Sequence, residues 1–139
     1  MAIEFLERCD AIEECYEFML AYAGQGLPSD EGSQAGSQIR GYLQRAAEAL
    51  TGIAESCTVA VTEQRLDAFQ RYQSYVSVLH RDAENSLAAV EVVLAQPSIG
   101  SQLIDNLNAS IHLRALLTDL FLMGEILRSR SRTAAISAD

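Results

Sequence analysis

Two cysteines are the residues of this sequence best placed to do chemistry together. Cys9 and Cys57 each lie on the apolar stripe of a predicted helix, and antiparallel pairing of the two helices puts them at a similar height. Such a pair would suit redox chemistry or half of a metal site. Free cysteines in a core are more commonly small buried hydrophobic residues, and we favour that interpretation. Cys15 lies off the stripe beside Glu14, where a carboxylate does not activate a thiol.

A histidine and a glutamate form the second candidate site. His80 and Glu84 are four residues apart, which places both side chains on one face of a helix. Iron-binding bundles use this spacing but need several more histidines, and the chain has only one more. That residue, His112, is expected on a solvated face with Asp105, Asn108 and Asp119. Because the di-iron and covalent haem motifs are also missing, we expect no metal and no cofactor.

Charged side chains cluster at two further places in the sequence. The first predicted helix has an acidic side that contains Glu7, Asp10, Glu14 and Glu17. Catalysis by two carboxyls needs a cleft that separates their pKa values, so a stripe of this kind is more commonly solvated. The alternative is a docking face for a basic partner. Arg128, Arg130 and Arg132 close the last helix, where cations complement the helix dipole.

Composition excludes several classes of function. The 139-residue chain has a net charge of −9 and no lysine, since all ten basic residues are arginine. Schiff-base chemistry and the usual phosphate-binding loop both require lysine. A net acidic surface repels nucleic acid and anionic membranes, so we expect neither as a partner. The N-terminus shows no secretory segment, which predicts a cytoplasmic protein with free thiols.

Apolar residues recur at alternating spacings of three and four, which predicts helices with one apolar stripe each. The first stripe contains Phe5, Cys9, Ile12, Tyr16, Met19 and Ala23. The second contains Ile39, Leu43, Ala46, Leu50, Ile53 and Cys57. Four helices are predicted, over residues 3–23, 38–57, 63–95 and 99–128. The β-branched run 58–62 predicts the second break, with one continuous helix as the alternative.

Short connections favour antiparallel neighbours, so the predicted fold is all-α, an up-down-up-down four-helix bundle. Residues 1–130 would form the single domain, and residues 131–139 a flexible C-terminal tail. The predicted third and fourth helices exceed the first two by about 15 Å, so their long hairpin should overhang the bundle. The polar loop 27–36 is expected to be mobile and unable to cover that overhang, although folding over it is the alternative.

An exposed apolar overhang would favour dimerisation or partner binding. The predicted partner-binding residues are Leu87, Val90, Leu94, Leu103 and Leu107. The first hypothesis is therefore a small acidic cytoplasmic interaction protein without catalytic activity, namely an adaptor, assembly chaperone or regulatory subunit, expected as a homodimer. The second is a bundle that binds a cofactor, metal or apolar ligand in its core, as an enzyme subunit would. A third is a toxin–antitoxin or type III secretion accessory protein, and the sequence names neither a partner nor a pathway.

Overall fold

The computed structural model describes residues 2–64 and 69–138, with the side chains of residues 3–64 and 70–130. Within these ranges the chain forms six helices and no β-strand. The helices are α1 (Ala2–Gly24), α2 (Gln34–Leu50), α3 (Ile53–Glu63), α4 (Phe69–Leu94), α5 (Ser101–Asn108) and α6 (Ile111–Ala138). The all-α prediction is therefore confirmed, whereas two of the four predicted helices are each divided in two.

Gly52 divides the predicted second helix into α2 and α3. Its φ of 84° lies in the left-handed region that favours glycine, and the chain turns there. Arg8 of α1 stabilises the exposed end of α2, because the two hydrogens of its Nη1 are shared among three carbonyl acceptors. Nη1 lies 3.1, 3.0 and 2.7 Å from the carbonyl oxygens of Glu48, Ala49 and Thr51. These bonds satisfy acceptors that a helix end leaves free.

The predicted break at residues 58–62 is wrong, because α3 runs through this segment. The β-branched residues there cost only a fraction of a kcal/mol each in a helix, about 0.5 or less. Burial of Cys57, Ala60 and Val61 on one face of α3 outweighs that cost. Residues 65–68 of the predicted third helix, Leu66 among them, lie outside the described residues.

The predicted fourth helix is also divided, here at Ala109 and Ser110. Ser110 precedes α6, and its carbonyl accepts the first helical hydrogen bond, from the N–H of Arg114 at 3.1 Å. Asn and Ser compete for backbone hydrogen bonds and favour helix ends, which explains a division after Asn108.

The core lies where α1 and α4 meet the other helices: α1 packs against α2, α3, α5 and α6, and α4 packs against α2, α3, α5 and α6. The predicted stripe of the second segment is buried over its whole length. In α1 the stripe departs from the prediction after Ile12, because Cys15 and Tyr22 are buried where Tyr16 and Ala23 were expected. A helix packed against four others buries a wide face rather than a narrow seam.

Loop 25–33 is fastened to the segment that joins α4 and α5, and we call this set of hydrogen bonds the clasp. Asp30 accepts a hydrogen bond from Nε of Arg40 and another from the N–H of Ile99, both at 2.9 Å. The N–H of Ile99, together with Arg40, holds the pKa of Asp30 below its ordinary value. Arg40 also donates to the carbonyls of Leu94 and Gln96 at 3.1 and 2.8 Å.

Tyr22 and Ser101 complete the clasp on its buried side. The Tyr22 hydroxyl donates to the carbonyl of Ile99 at 2.6 Å. The hydroxyl of Ser101 donates to the carbonyl of Tyr22 at 2.6 Å and accepts from the N–H of Leu27 at 2.8 Å. Buried polar groups that are paired in this way hold a loop in place without leaving a desolvated donor or acceptor.

The five predicted partner-binding residues have partners inside the chain. Val90 and Leu107 are 2% and 5% exposed, and the remaining three, Leu87, Leu94 and Leu103, are half-buried against the core. The described helices do not confirm the expected overhang, since α1 has 23 residues and α4 has 26. These side chains therefore pack within the described chain, and loop 25–33 is hydrogen-bonded to the segment that follows α4, at Ile99 and Ser101. Partner binding by these five residues stays a prediction. Dimerisation itself stays a prediction.

The backbone of α6 continues to Ala138, so the predicted boundary near residue 130 lies within a helix. The division into a domain and a tail stays a prediction. In the part of the chain that the structure describes, no helix combines the length and apolar character needed to cross a lipid bilayer.

Candidate functional site

A groove lies between α3 and α4, beside the break at Gly52, and we call it the α3–α4 groove. Its first part is a cavity of about 230 Å³. The floor is apolar, formed by Leu50, Ile53 and Ala83, which are 4%, 1% and 3% exposed. Leu87, one of the predicted partner-binding residues, also lines this cavity. The turn at Gly52 creates the opening because it carries α3 away from the line of α2.

The rim of the α3–α4 groove carries the predicted histidine–glutamate pair. Nε2 of His80 lies 2.8 Å from Oε1 of Glu84, and both side chains are more than half exposed. The exposed Glu55 of α3 lies across from them. The prediction that His80 and Glu84 share a helix face is confirmed.

The groove extends toward the N-terminal part of α4. Ala54, Glu55 and His80 also line a second depression, which reaches Val76 and Arg81. From Val76 to Leu87 the helix rises about 16 Å at 1.5 Å per residue. That length matches about three turns of a partner helix.

The described residues contain no cluster of three or more histidine, cysteine or carboxylate side chains that could hold a metal. His112 is exposed at the start of α6 and does not line the α3–α4 groove. The residues predicted to share a solvated face with His112 differ in exposure. Asp105 is exposed, whereas Asn108 and Asp119 are 9% and 5% exposed. The prediction of a solvated side is therefore wrong for those last two residues.

All three cysteines are free and buried in the core. Burial raises the pKa of each thiol to about 12, and for Cys9 the charges of Glu13 and Cys57 add to this effect. The interaction with Cys57 is consistent with the predicted closeness of the two residues. Cys15 is 2% exposed, so its predicted place off the stripe is wrong.

These thiols should be inert in the folded chain. At pH 8 a thiol with a pKa of about 12 is ionised in about one molecule in 10⁴, and the thiolate is the reactive form. Ellman's reagent should label only a small fraction of the thiols under native conditions and all three in concentrated urea. Melting temperature should be the same with and without reductant. Rapid labelling of one thiol per native chain would contradict this expectation.

The acidic side of α1 is solvated, as predicted. Glu7, Asp10, Glu14 and Glu17 are exposed. Glu13 is half-buried, and burial raises its pKa. Arg128 of α6 reaches across to Asp10 at 3.5 Å, which places this arginine in contact with α1 rather than in a free basic patch.

A buried carboxyl lies between α4 and α6, although it is predicted on a solvated side. Asp119 of α6 is 5% exposed, and its Oδ1 accepts a hydrogen bond of 2.8 Å from the hydroxyl of Tyr75 on α4. Its Oδ2 is buried without a partner among the donors of the protein. Asp82 lies on α4, one turn after Leu79. It interacts with the same carboxyl.

Burial is the largest cause that raises the pKa of Asp119, to about 7, and the hydrogen bond and negative charge of Asp82 raise it further. The hydrogen bond from Tyr75 acts in the opposite direction. The pKa of Tyr75 is itself raised to about 12 by burial and by Asp119, so its hydroxyl stays a donor at neutral pH. A signal was available in the sequence, because Asp119 lies between Leu116 and Met123 on the apolar face of the helix.

No protein-family model, curated protein sequence or solved structure matches this chain.

Proposed function

We propose that this chain is a non-catalytic helical interaction protein, an adaptor, assembly chaperone or regulatory subunit, and that the α3–α4 groove binds a basic amphipathic segment of a protein partner. The observation that carries the proposal is the composition of the groove, with an apolar floor and a rim of carboxylates. Helix-in-groove recognition uses an apolar floor for aliphatic anchors and charged rims for orientation.

The charges favour a basic occupant. Glu55 and Glu84 stand on opposite sides of the first cavity, and the chain as a whole carries −9. A long-range acidic field accelerates the approach of a basic partner, and two rim carboxylates give local complementarity. Arg81 lies at the far end of the groove. We therefore place the basic side chain of the partner near Glu84 and an aliphatic side chain over Ile53 and Ala83.

The chemistry of the remaining candidates supports a role without catalysis. The thiols are buried with pKa values raised to about 12, so they are poor nucleophiles. Asp119 is held inside a helix interface, away from the α3–α4 groove. An acid–base catalyst must reach a substrate, and the side chains that line the groove include one histidine, already paired with Glu84.

We also propose that the six helices follow the path of an up-down-up-down bundle, with α2–α3 and α5–α6 as two bent rods. Helix contacts support this path, because each rod touches both α1 and α4. The clasp pairs Tyr22 at the end of α1 with Ser101 at the start of α5, as antiparallel rods require. The same proposal includes a homodimer in the cytoplasm. Its contact would be formed by the exposed Phe121 and Leu122 of α6 rather than by the five residues predicted from the sequence.

Binding to a synthetic peptide tests the proposed docking site. The probe is a 14-residue amphipathic helix of leucine and arginine, and its control carries glutamate in place of arginine. We expect NMR shifts at Ala54, Glu55, His80 and Ala83 with the basic peptide and none with the acidic one. Glu84→Lys should weaken binding by about tenfold, as expected for loss and reversal of a rim charge.

Glu91→Lys is the matched control, because Glu91 is also exposed on α4 but does not line the groove. It changes the net charge equally and should alter affinity less than twofold, a difference within about 0.4 kcal/mol. Equal weakening by both variants would mean that only the overall charge matters and would contradict the proposed site. A bound small molecule in the groove, found by native mass spectrometry of the purified chain, would contradict the proposed protein partner.

A further inference from the structure

Asp119 is a buried carboxyl in the interface between α4 and α6. It is 5% exposed, it lies between Leu116, Leu120 and Met123, and one carboxyl oxygen lacks a donor. A buried ionised carboxylate is costly unless its lone pairs are satisfied, and a buried unpaired oxygen adds to the cost. The hydroxyl of Tyr75 donates to Oδ1 and leaves Oδ2 unsatisfied.

Asp82 of α4 is the acidic neighbour of the Asp119 carboxyl and raises its pKa. In the structure Oδ2 of Asp119 has no hydrogen-bond partner, and a protonated carboxyl of this pair could supply a hydrogen bond between the two side chains. Two carboxyls can form such a bond only when one of them holds a proton, because two carboxylates have no hydrogen to donate. Asp82 is half-buried, so the pair has a route to solvent through it.

We propose that Asp82 and Asp119 form a proton-binding site that couples the pH of the solvent to the packing of α6 against α4. With one proton bound, the two carboxyls share it and α6 is held by the bond from Tyr75 and by the carboxyl pair. Loss of the proton to solvent leaves two adjacent carboxylates in a mostly apolar interface. Their repulsion favours separation of the helices at this point.

The direction of the pH effect follows from the groups that face Asp119. Both of them, Tyr75 and Asp82, are on α4, and the described residues of α1 and α5, which also pack against α6, add no titratable group to the set. The pKa of Asp119 rises from 3.8 to about 7 on folding. The stabilisation is therefore complete below about pH 4 and is lost as the pH rises through about 7.

Carboxyl carbon NMR on the full chain between pH 4 and 9 tests the site. It reports the Asp119 carboxyl separately from every imidazole of the chain. We expect the Asp119 carbon to titrate with a midpoint near pH 7. A midpoint below pH 5 in the wild-type chain would overturn the proposal.

Two variants should move that midpoint in opposite directions. Asp82→Asn removes the charge and the acidic partner that favour the protonated form, so the midpoint should fall by about one pH unit or more. Tyr75→Phe removes the donor that favours the ionised form, so the midpoint should rise. Asp105→Asn, at an exposed site on α5, should leave the midpoint unchanged. An unchanged midpoint in Asp82→Asn would overturn the proposal even if Tyr75→Phe fails to fold.

Hydrogen exchange then measures the coupling to packing. After correction for intrinsic exchange, amides of α6 should become less protected between pH 6 and 8 in the wild-type chain. Asp119→Asn, which keeps the shape of the side chain and cannot ionise, should show constant protection over this range. Equal pH dependence in both chains would show that the helix pair does not respond to this proton. Because the peptide experiment probes the opposite side of α4, failure of either proposal leaves the other intact.

Discussion

Val90→Glu should unfold the chain or destabilise it by about 4 kcal/mol, whereas Val92→Glu should change its stability by less than about 0.5 kcal/mol. The two valines lie two residues apart on α4, but Val90 is 2% exposed and Val92 is 63% exposed. At Val90 the glutamate either ionises in the core or holds a proton against its ordinary pKa, and both are costly. At Val92 the carboxylate is hydrated. Total stabilities of small domains are only about 5–15 kcal/mol, so the first loss is large.

Urea unfolding followed by circular dichroism measures this difference, and light scattering on the same samples measures size. The sequence-based prediction for this variant is different. If Val90 lay on an exposed overhang that forms a dimer contact, Val90→Glu would stay folded and would become monomeric. If the wild type is dimeric and Val90→Glu is a well-folded monomer, the result would support the predicted overhang and contradict the packing of α4 described above.

Gly36→Ala should destabilise the chain by about 1–3 kcal/mol, although alanine is the better helix former. Gly36 lies in the first turn of α2, where the loop that precedes the helix passes close by. A Cβ at this position would lie 2.6 Å from the carbonyl carbon of Asp30 and 2.8 Å from Oγ of Ser33, closer than real Cβ contacts. Moving Asp30 away would break its bonds to Arg40 and Ile99, so the clasp would open as well.

Gly41→Ala provides the matched control in the same helix. The nearest atom to a Cβ at this position is Nη1 of Arg45 at 3.7 Å, an ordinary contact. Here only helix propensity acts, so the substitution should stabilise the chain by about 0.5–1 kcal/mol. Thermal and urea unfolding of both variants should show shifts of opposite sign. Stabilisation by both alanines would mean that loop 25–33 does not lie against Gly36.

The sequence by itself determined that the chain is helical and which side chains most of its apolar stripes bury. The first helix is predicted over residues 3–23 and observed over Ala2–Gly24. Every residue of the predicted second stripe, from Ile39 to Cys57, is buried. The spacing of apolar residues along a helix is a local property, and it selects the buried face whatever lies opposite. His80 and Glu84 also share a face for a local reason, since they are one turn apart.

Only the tertiary structure decided what covers those faces. Loop 27–36 is polar and rich in glycine, which predicts exposure, but its polar groups bond to backbone groups distant in the sequence. Asp30 binds Ile99, 69 residues away, and Leu27 binds Ser101, 74 residues away. These bonds fasten a polar loop to the segment that joins α4 and α5, and composition cannot reveal them. Of the residues predicted to bind a partner, Val90 and Leu107 are buried, and Leu87, Leu94 and Leu103 are half-buried against the core.

Asp119 shows the same limit at a single side chain. Charge alone predicts a solvated carboxylate on α6, yet it is enclosed because α4 packs against that face and brings Tyr75 and Asp82 to it. The cost of burying a carboxyl depends on the donors, charges and protons that surround it in space. Residue spacing along one helix determines which side chains can meet another helix. The groups that they meet, and hence their protonation, follow only from the assembled fold.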